Sequence, residues 1–416
     1  MTEQDIISFF NDKNFDIRVH HNARWIDQKC TPDVVCIIAD CIDNYIEEYG
    51  EGAVFTSRDI WFSNYAIENV QAIFRKVDVA DSSAENEYDK FFQQPMKMLA
   101  YAGILEETKR GRENQYIVLN RELLRYIALR ERNALSFIIK YVEKVLSDSG
   151  LMQYFNVFFE NPNKDTYETV KEQFCRFTIR NTNIGNKTSV NGLNTDAGIV
   201  ECRRIFIKVL NPLSFAKRTY GTERGRISKH AITYDMLMYN RDNFRDIYAE
   251  KPKSVSRKDY IAQHHIVIND AYFRYMSTRA KHRLKLYNDT YRAGLSEMPG
   301  DTERATHIHH IFSASEYPEI SYYLENLIAL TPNQHLNAAH PNGRTITINR
   351  AYQHDCLIVK TDIIKENIET ADEKIYSFND FIHVLVVGFN EESFNDIEEN
   401  DYDGVKAKIE LEYACA

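Results

Sequence analysis

Proline, glycine, paired cysteines and long apolar runs are all scarce in this sequence, and each scarcity excludes something. Only 9 Pro and 15 Gly occur in 416 residues, with no evident repeat or biased tract, which argues against long disordered linkers. The seven cysteines (Cys30, Cys36, Cys41, Cys175, Cys202, Cys356, Cys415) contain no Cys-x-x-Cys pair. Their odd number and scatter predict free thiols and exclude both a disulfide framework and a four-cysteine zinc site. No stretch approaches the roughly 18 uninterrupted apolar residues of a spanning helix, and no basic start leads into an apolar run. Neither a membrane span nor a secretory signal is expected, and the chain reads as cytoplasmic.

Net positive charge is also missing: 51 Lys and Arg stand against 61 Asp and Glu, for a net charge of −10. The balance is segregated, however. Residues 203–285 hold 19 basic and 7 acidic side chains, a local +12 that leaves −22 for the remainder. A polyanion such as DNA responds to the local field of the face it meets, so an acidic total does not exclude it. What the chain does have is 44% apolar residues and 12% aromatics, enough to bury real cores in two or three domains.

Residues 33–49 are apolar at i, i+3 and i+4 and predict a scaffold helix. Residues 68–75 and 88–102 predict two further helices. Strands at 104–108 and 115–119 follow, joined by a turn at 110–113, and then a helix capped by Asn120. Helix, helix and hairpin in that order resemble a winged helix, whose tip here carries Lys109, Arg110 and Arg112 within reach of a phosphate backbone. Residues 133–178 continue as amphipathic helix, with aromatics on the core face. Residues 181–198, rich in Asn, Thr and Gly, predict a long loop and a domain boundary. Residues 201–210 alternate as a strand would. The basic segment 216–229 has the composition of a phosphate-contacting loop, with Lys217, Arg218, Arg224 and Arg226, and with Gly221 and Gly225 allowing close backbone approach. Helix is predicted over 232–249, a basic connector over 251–257, and a long helical region over 260–293 with Lys281, Arg283 and Lys285 in its basic middle. After the motif described next, residues 355–361 read as a buried strand and 378–387 as an apolar helix or strand. The seven acidic residues in 391–403, interspersed with Phe394, Ile397 and Tyr402, read as a solvated face.

Residues 306–344, THIHHIFSASEYPEISYYLENLIALTPNQHLNAAHPNGR, carry the chemistry. Residues 305–311 predict a strand ending in His309 and His310, and 327–330 a second strand with Asn326 at its entrance. Thr331 as N-cap and Pro332 after it predict a helix, ended near Gly343. Imidazole suits deprotonation of water near neutral pH, and clustered His suits a metal ion. Adjacent strand residues point to opposite faces, so His309 and His310 divide into a metal ligand and a proton acceptor. His340 lies five residues after His335, roughly 140° round an ideal helix. It joins His335 only if the helix ends near Ala339, with Asn337 and Asn333 as weaker candidates. The other pair, His264–His265 with Asn269, has no such sequel and reads as structural.

Strand, loop, strand and helix carrying these residues resemble the HNH, or ββα-metal, nuclease motif over about forty residues. The resemblance implies His309 and His335 as metal ligands, with His340 possible, His310 as general base, and Asn326 bracing the loop. It further implies a divalent ion, Mg2+, and one-metal phosphodiester hydrolysis to 5′-phosphate and 3′-hydroxyl ends. The fold class expected is α+β, mainly helical and multidomain. A winged-helix-like domain would occupy 1–180, and a DNA-binding and nuclease domain 181–416, with the core at 305–344. The whole resembles a type II restriction endonuclease acting on double-stranded DNA as a homodimer. Another HNH nuclease, modification-dependent or homing, and a non-catalytic winged-helix DNA-binding protein with a structural metal site are the alternatives.

Overall fold

A computed structural model describes residues 3–74, 76, 79, 85–184, 196–239, 255, 260, 263, 270–300, 303–340 and 348–414. These residues are helix-dominated with three small antiparallel sheets among them, an α+β arrangement, and the chain forms two compact units, Met1–Asn243 and Phe244–Ala416. The expected loop over 181–198, the helix over 232–249, the connector over 251–257, the His264–His265 pair and Gly343 lie wholly or largely outside the described residues. Of 232–249, the part described holds only a 3-10 turn, Asp235–Leu237.

The first unit begins with α1 (Glu3–Asn11), α2 (Ile17–His20) and α3 (Pro32–Tyr49). Pro at the first helical position and Gly50 (φ 95°) just past the end bound α3. Val34, Val35, Ile38, Cys41, Ile42 and Ile46 all bury along it, facing α7 (Arg121–Leu129) and α8 (Glu131–Asp148). Between them come β1 (Phe55–Thr56), α4 (Ser57–Trp61), α5 (Asn64–Phe74), α6 (Glu85–Tyr101), β2 (Leu105–Arg110) and β3 (Glu113–Val118). The three strands form a sheet in the order β1-β3-β2. Gly111 turns the β2–β3 tip at φ 67°, leaving Arg110 and Arg112 exposed. Asn120 caps α7 by accepting from the Leu123 N–H at 2.9 Å.

The unit continues with α9 (Met152–Glu160), α10 (Lys164–Asn181) and α11 (Asp196–Ala216). α11 replaces the strand expected over 201–210. Its buried Ile205, Phe206, Val209, Leu210 and Leu213 repeat at helical spacing, and the short alternation was a local sample of that face. Because α11 packs on α10 and α8, no boundary falls near residue 180, and the first unit runs on to Asn243.

The basic segment after α11 is a hairpin rather than a loop: β4 (Tyr220–Glu223) and β5 (Arg226–Ala231). Arg224 (φ 50°) and Gly225 (φ 78°) form its two-residue turn. Gly221 makes no room for a ligand. A Cβ there would lie 2.6 Å from both Asn211 Oδ1 and Ile232 Cγ1, so its lack of a side chain serves hairpin packing on α11.

The second unit contains α12 (Asp270–Tyr291), β6 (His307–His310), β7 (Leu327–Leu330), a π turn (Gln334–Ala339), α13 (Arg350–Thr370), α14 (Phe378–Phe389) and α15 (Tyr402–Ala414). α13 overturns the strand expected over 355–361, since Cys356, Leu357, Thr361 and Ile364 bury at helical intervals. Strands β6 and β7 pair antiparallel, His309 opposite Ile328 and His310 opposite Leu327, and α12 packs against both. Glu297 fastens the fully buried β7: its N–H donates to the Ala329 carbonyl at 2.9 Å, and its Oε2 accepts from the Ala329 N–H at 2.6 Å. Its Oε1 accepts from buried Lys360 Nζ at 3.2 Å and from the Tyr376 hydroxyl at 3.3 Å, which ties the strand to α13. The acidic stretch 391–403 forms a 3-10 turn and the start of α15, with Phe394 and Tyr402 buried and most carboxylates outward.

Candidate metal centre

Strand alternation sets the first half of the site. His307 and His309 share one face of β6, and His310 lies on the other. His309 is 4% exposed and meets the rings of His335 and His340, at centroid distances of 5.3 and 4.9 Å. His335 and His340 stand 4.8 Å apart. One ring nitrogen from each of the three lies within 4.8 Å of the other two.

The second half depends on the turn after β7. Thr331 starts it with a reciprocal cap: its hydroxyl accepts from the Gln334 N–H at 3.2 Å, and Gln334 Oε1 accepts from the Thr331 N–H at 3.1 Å. The chain then winds as a π turn, in which hydrogen bonds run from i to i+5. Residues five apart therefore stack, and His340 comes over His335 instead of pointing away. His340 itself leaves the turn in extended conformation, φ −121° and ψ 95°. Asn337 donates to Asn333 Oδ1 at 2.7 Å on the exposed side of the turn. His307 stacks on His335 at 4.8 Å, while its Nδ1 contacts the Thr306 hydroxyl at 3.1 Å.

Electrostatics keep His309 and His335 neutral. Burial, then the neighbouring His340, His335 and His310 and the Lys281 ammonium, push the His309 pKa down to about 3. Burial with His340, His307 and Lys281 lowers His335 to about 4. A neutral imidazole has a lone pair to give, as ligation requires. His335 Nδ1 is buried without a hydrogen-bond partner. The three ring nitrogens make a donor set that suits a divalent ion.

His310 faces away from the cluster. Its Nε2 lies 3.0 Å from the Ser321 carbonyl and 3.0 Å from the Ser277 hydroxyl. A carbonyl can only accept, so Nε2 carries the proton and Nδ1 is left as the basic nitrogen. Burial, then Lys281, lowers the His310 pKa to about 3 against the opposing pull of the Ser321 carbonyl. Asn326 is fully buried and clamps the loop between the strands. Its Oδ1 accepts from the Phe312 N–H at 2.8 Å, and its Nδ2 donates to the Phe312 and Ile320 carbonyls at 3.1 and 3.2 Å. Ser321, which orients His310, directly follows Ile320.

The residues expected to touch DNA fall in both units. Arg110 and Arg112 are exposed at the β2–β3 tip, and Lys217, Arg218, Arg224 and Arg226 are exposed beside or on the β4–β5 hairpin, all in the first unit. On α12 the expected trio separates. Arg283 is committed to an ion pair with Glu373, which removes it as a phosphate contact. Lys285 pairs with Asp289 at 3.0 Å on the outer surface. Lys281 alone influences the histidines. Ser277, Ser321, Glu297 and His307 were not singled out from the sequence. Only the four-residue interval from Ser277 to Lys281 hinted that both sit on one helix face.

No protein-family description, no curated protein and no solved structure matches this chain.

Proposed function

We propose that the chain is a metal-dependent endonuclease of the HNH type that cuts double-stranded DNA at specific sites, in the manner of a type II restriction enzyme. The observation that carries this reading is the division of one strand end. His309 enters a cluster of three histidines, while the adjacent His310 is held by a backbone carbonyl with its second nitrogen left unprotonated. His309, His335 and His340 would hold the ion. Bound there, it would supply positive charge to offset the charge that develops on the phosphate and the leaving 3′-oxygen. His310 Nδ1 takes the proton from the attacking water, and Asn326 keeps the loop that orients His310 in place.

The donor set also revises the expected ion. Mg2+ takes oxygen ligands, whereas imidazole suits Zn2+, Fe2+, Ni2+ and Cu2+. We read the site as one for a nitrogen-preferring divalent ion. Three protein ligands, with no further His, Cys, Asp or Glu grouped with them among the described residues, match an open, catalytic set better than a closed structural one. That favours an enzyme over the non-catalytic alternative.

In the same reading α5, α6 and the β2–β3 hairpin make a winged-helix-like module, with Arg110 and Arg112 on the phosphate backbone. The β4–β5 hairpin adds Lys217, Arg218, Arg224 and Arg226. A homodimer would set one centre on each strand of a palindromic site. Digesting a phage genome with the purified protein, with chelator or with each divalent ion in turn, tests the proposal. Discrete fragments that need an ion support it, and intact DNA under every ion contradicts it.

A further inference from the structure

We propose that Lys281 is the anion anchor of the three-histidine centre, binding a non-bridging oxygen of the phosphodiester group held there. The inference rests on the nuclease reading for its class of ligand. Helix α12 packs against both β6 and β7, and Ser277 on that helix lies 3.0 Å from His310 Nε2. Lys281 is four residues on, one turn along the same face, between the buried Ala280 and Leu284. Its side chain is half-buried.

The charges around it are arranged differently from those on its neighbours. Arg283, Lys285, Arg292 and Arg304 each have a carboxylate partner, in Glu373, Asp289, Glu366 and Asp289 respectively. Lys281 has no hydrogen-bond or ion-pair partner among the described residues. Burial moves its pKa downward, and among the described residues no carboxylate opposes it. Its charge is felt by His309 and His335 on the ligand side and by His310 on the other. One turn from Ser277 on the helix that packs against both strands, it stands beside the strand end that carries His309 and His310.

A lone ammonium beside a site for a divalent cation repels that cation. The arrangement becomes favourable when an anion lies between the two positive charges, as a phosphodiester would. Anion and metal then help each other to bind, and linkage requires the help to be reciprocal.

Calorimetric titration of the full chain with Zn2+, with and without dimethyl phosphate, tests this on wild type, K281Q and K281R, with melting curves confirming that each variant is folded. In wild type, dimethyl phosphate should tighten Zn2+ binding by about fivefold or more. In K281Q, Zn2+ alone should bind more tightly than in wild type, and the effect of dimethyl phosphate should fall below about twofold. K281R should keep the coupling. A K281Q protein that titrates like wild type in both conditions, or a wild type that binds Zn2+ without coupling to dimethyl phosphate, overturns the role of Lys281 and leaves the metal centre standing. A wild type that binds no ion removes the centre itself, and the anchor with it.

Discussion

His335 and His340 are five residues apart in sequence, yet their rings stand 4.8 Å apart on one face, because the turn between them is π and not α. The site depends on that one extra residue per turn. An α-helix would bring two residues together on one face at an interval of three or four, not five.

Two length changes follow from this. Deleting Ala338 should let the turn relax to α with the two histidines at i and i+4, so Zn2+ affinity should stay within about tenfold of wild type. Inserting one alanine after Ala338 should separate them and weaken binding by well over tenfold. Calorimetric titration of the two variants decides it. Loss of binding in the deletion and retention in the insertion would refute the π-turn account.

Asn326 makes three buried hydrogen bonds across the loop between the strands. Asn326→Ala strips these bonds from the Phe312 N–H and carbonyl, while the Ile320 carbonyl still accepts from the Tyr323 N–H at 3.2 Å, and it should lower stability by roughly 1–3 kcal/mol, read from the urea midpoint. Asn326→Asp should also destabilise, because it keeps the acceptor for the Phe312 N–H but loses both donors. Wild-type midpoints in both variants would show that the loop holds itself.

Acid should expose the buried imidazoles. His309 and His310 have folded pKa values of about 3 and His335 about 4, against roughly 6.5 in an unfolded chain. Below the unfolded value the unfolded state binds protons that the folded state refuses, so stability falls as the pH drops from about 6.5 towards 4 and 3. Above about 6.5 these groups contribute no slope. Urea midpoints of the metal-free protein at a series of pH values should therefore decline before the ordinary carboxylates titrate. The variant H309Q/H310Q/H335Q should lose that early decline, and a decline of equal size in the variant would assign it to other groups.

The three-histidine cluster was legible in part, because the residues of the motif lie in four short segments whose order carries the meaning. The His309–His310 pair, Asn326, Thr331 with Pro332, and the His335–His340 interval need no tertiary knowledge to be picked out. The π turn was not legible. An ideal helix places His340 well away from His335, and nothing local to Gln334–Ala339 marks the extra residue. The strands expected at α11 and α13 rested on runs of seven to ten residues, too short to separate a period of 2 from one of 3.6. The basic trio on α12 looked alike in sequence, but Arg283 meets Glu373, ninety positions away, and only the fold reveals that. Lys281 gained its place by the same kind of long-range packing, opposite strands that begin more than twenty residues later.

The central claim is that His310 accepts the proton in a cleavage reaction while the opposite face of its strand holds the ion. Its most direct test is to measure Zn2+ affinity, DNA binding and DNA cleavage side by side for wild type, His310→Ala and His309→Ala. The account predicts that His310→Ala binds the ion and the duplex as wild type does but does not cut. His309→Ala should bind the ion weakly and regain part of its cutting as the ion concentration is raised. Normal cutting by His310→Ala, or unchanged ion affinity in His309→Ala, would contradict it.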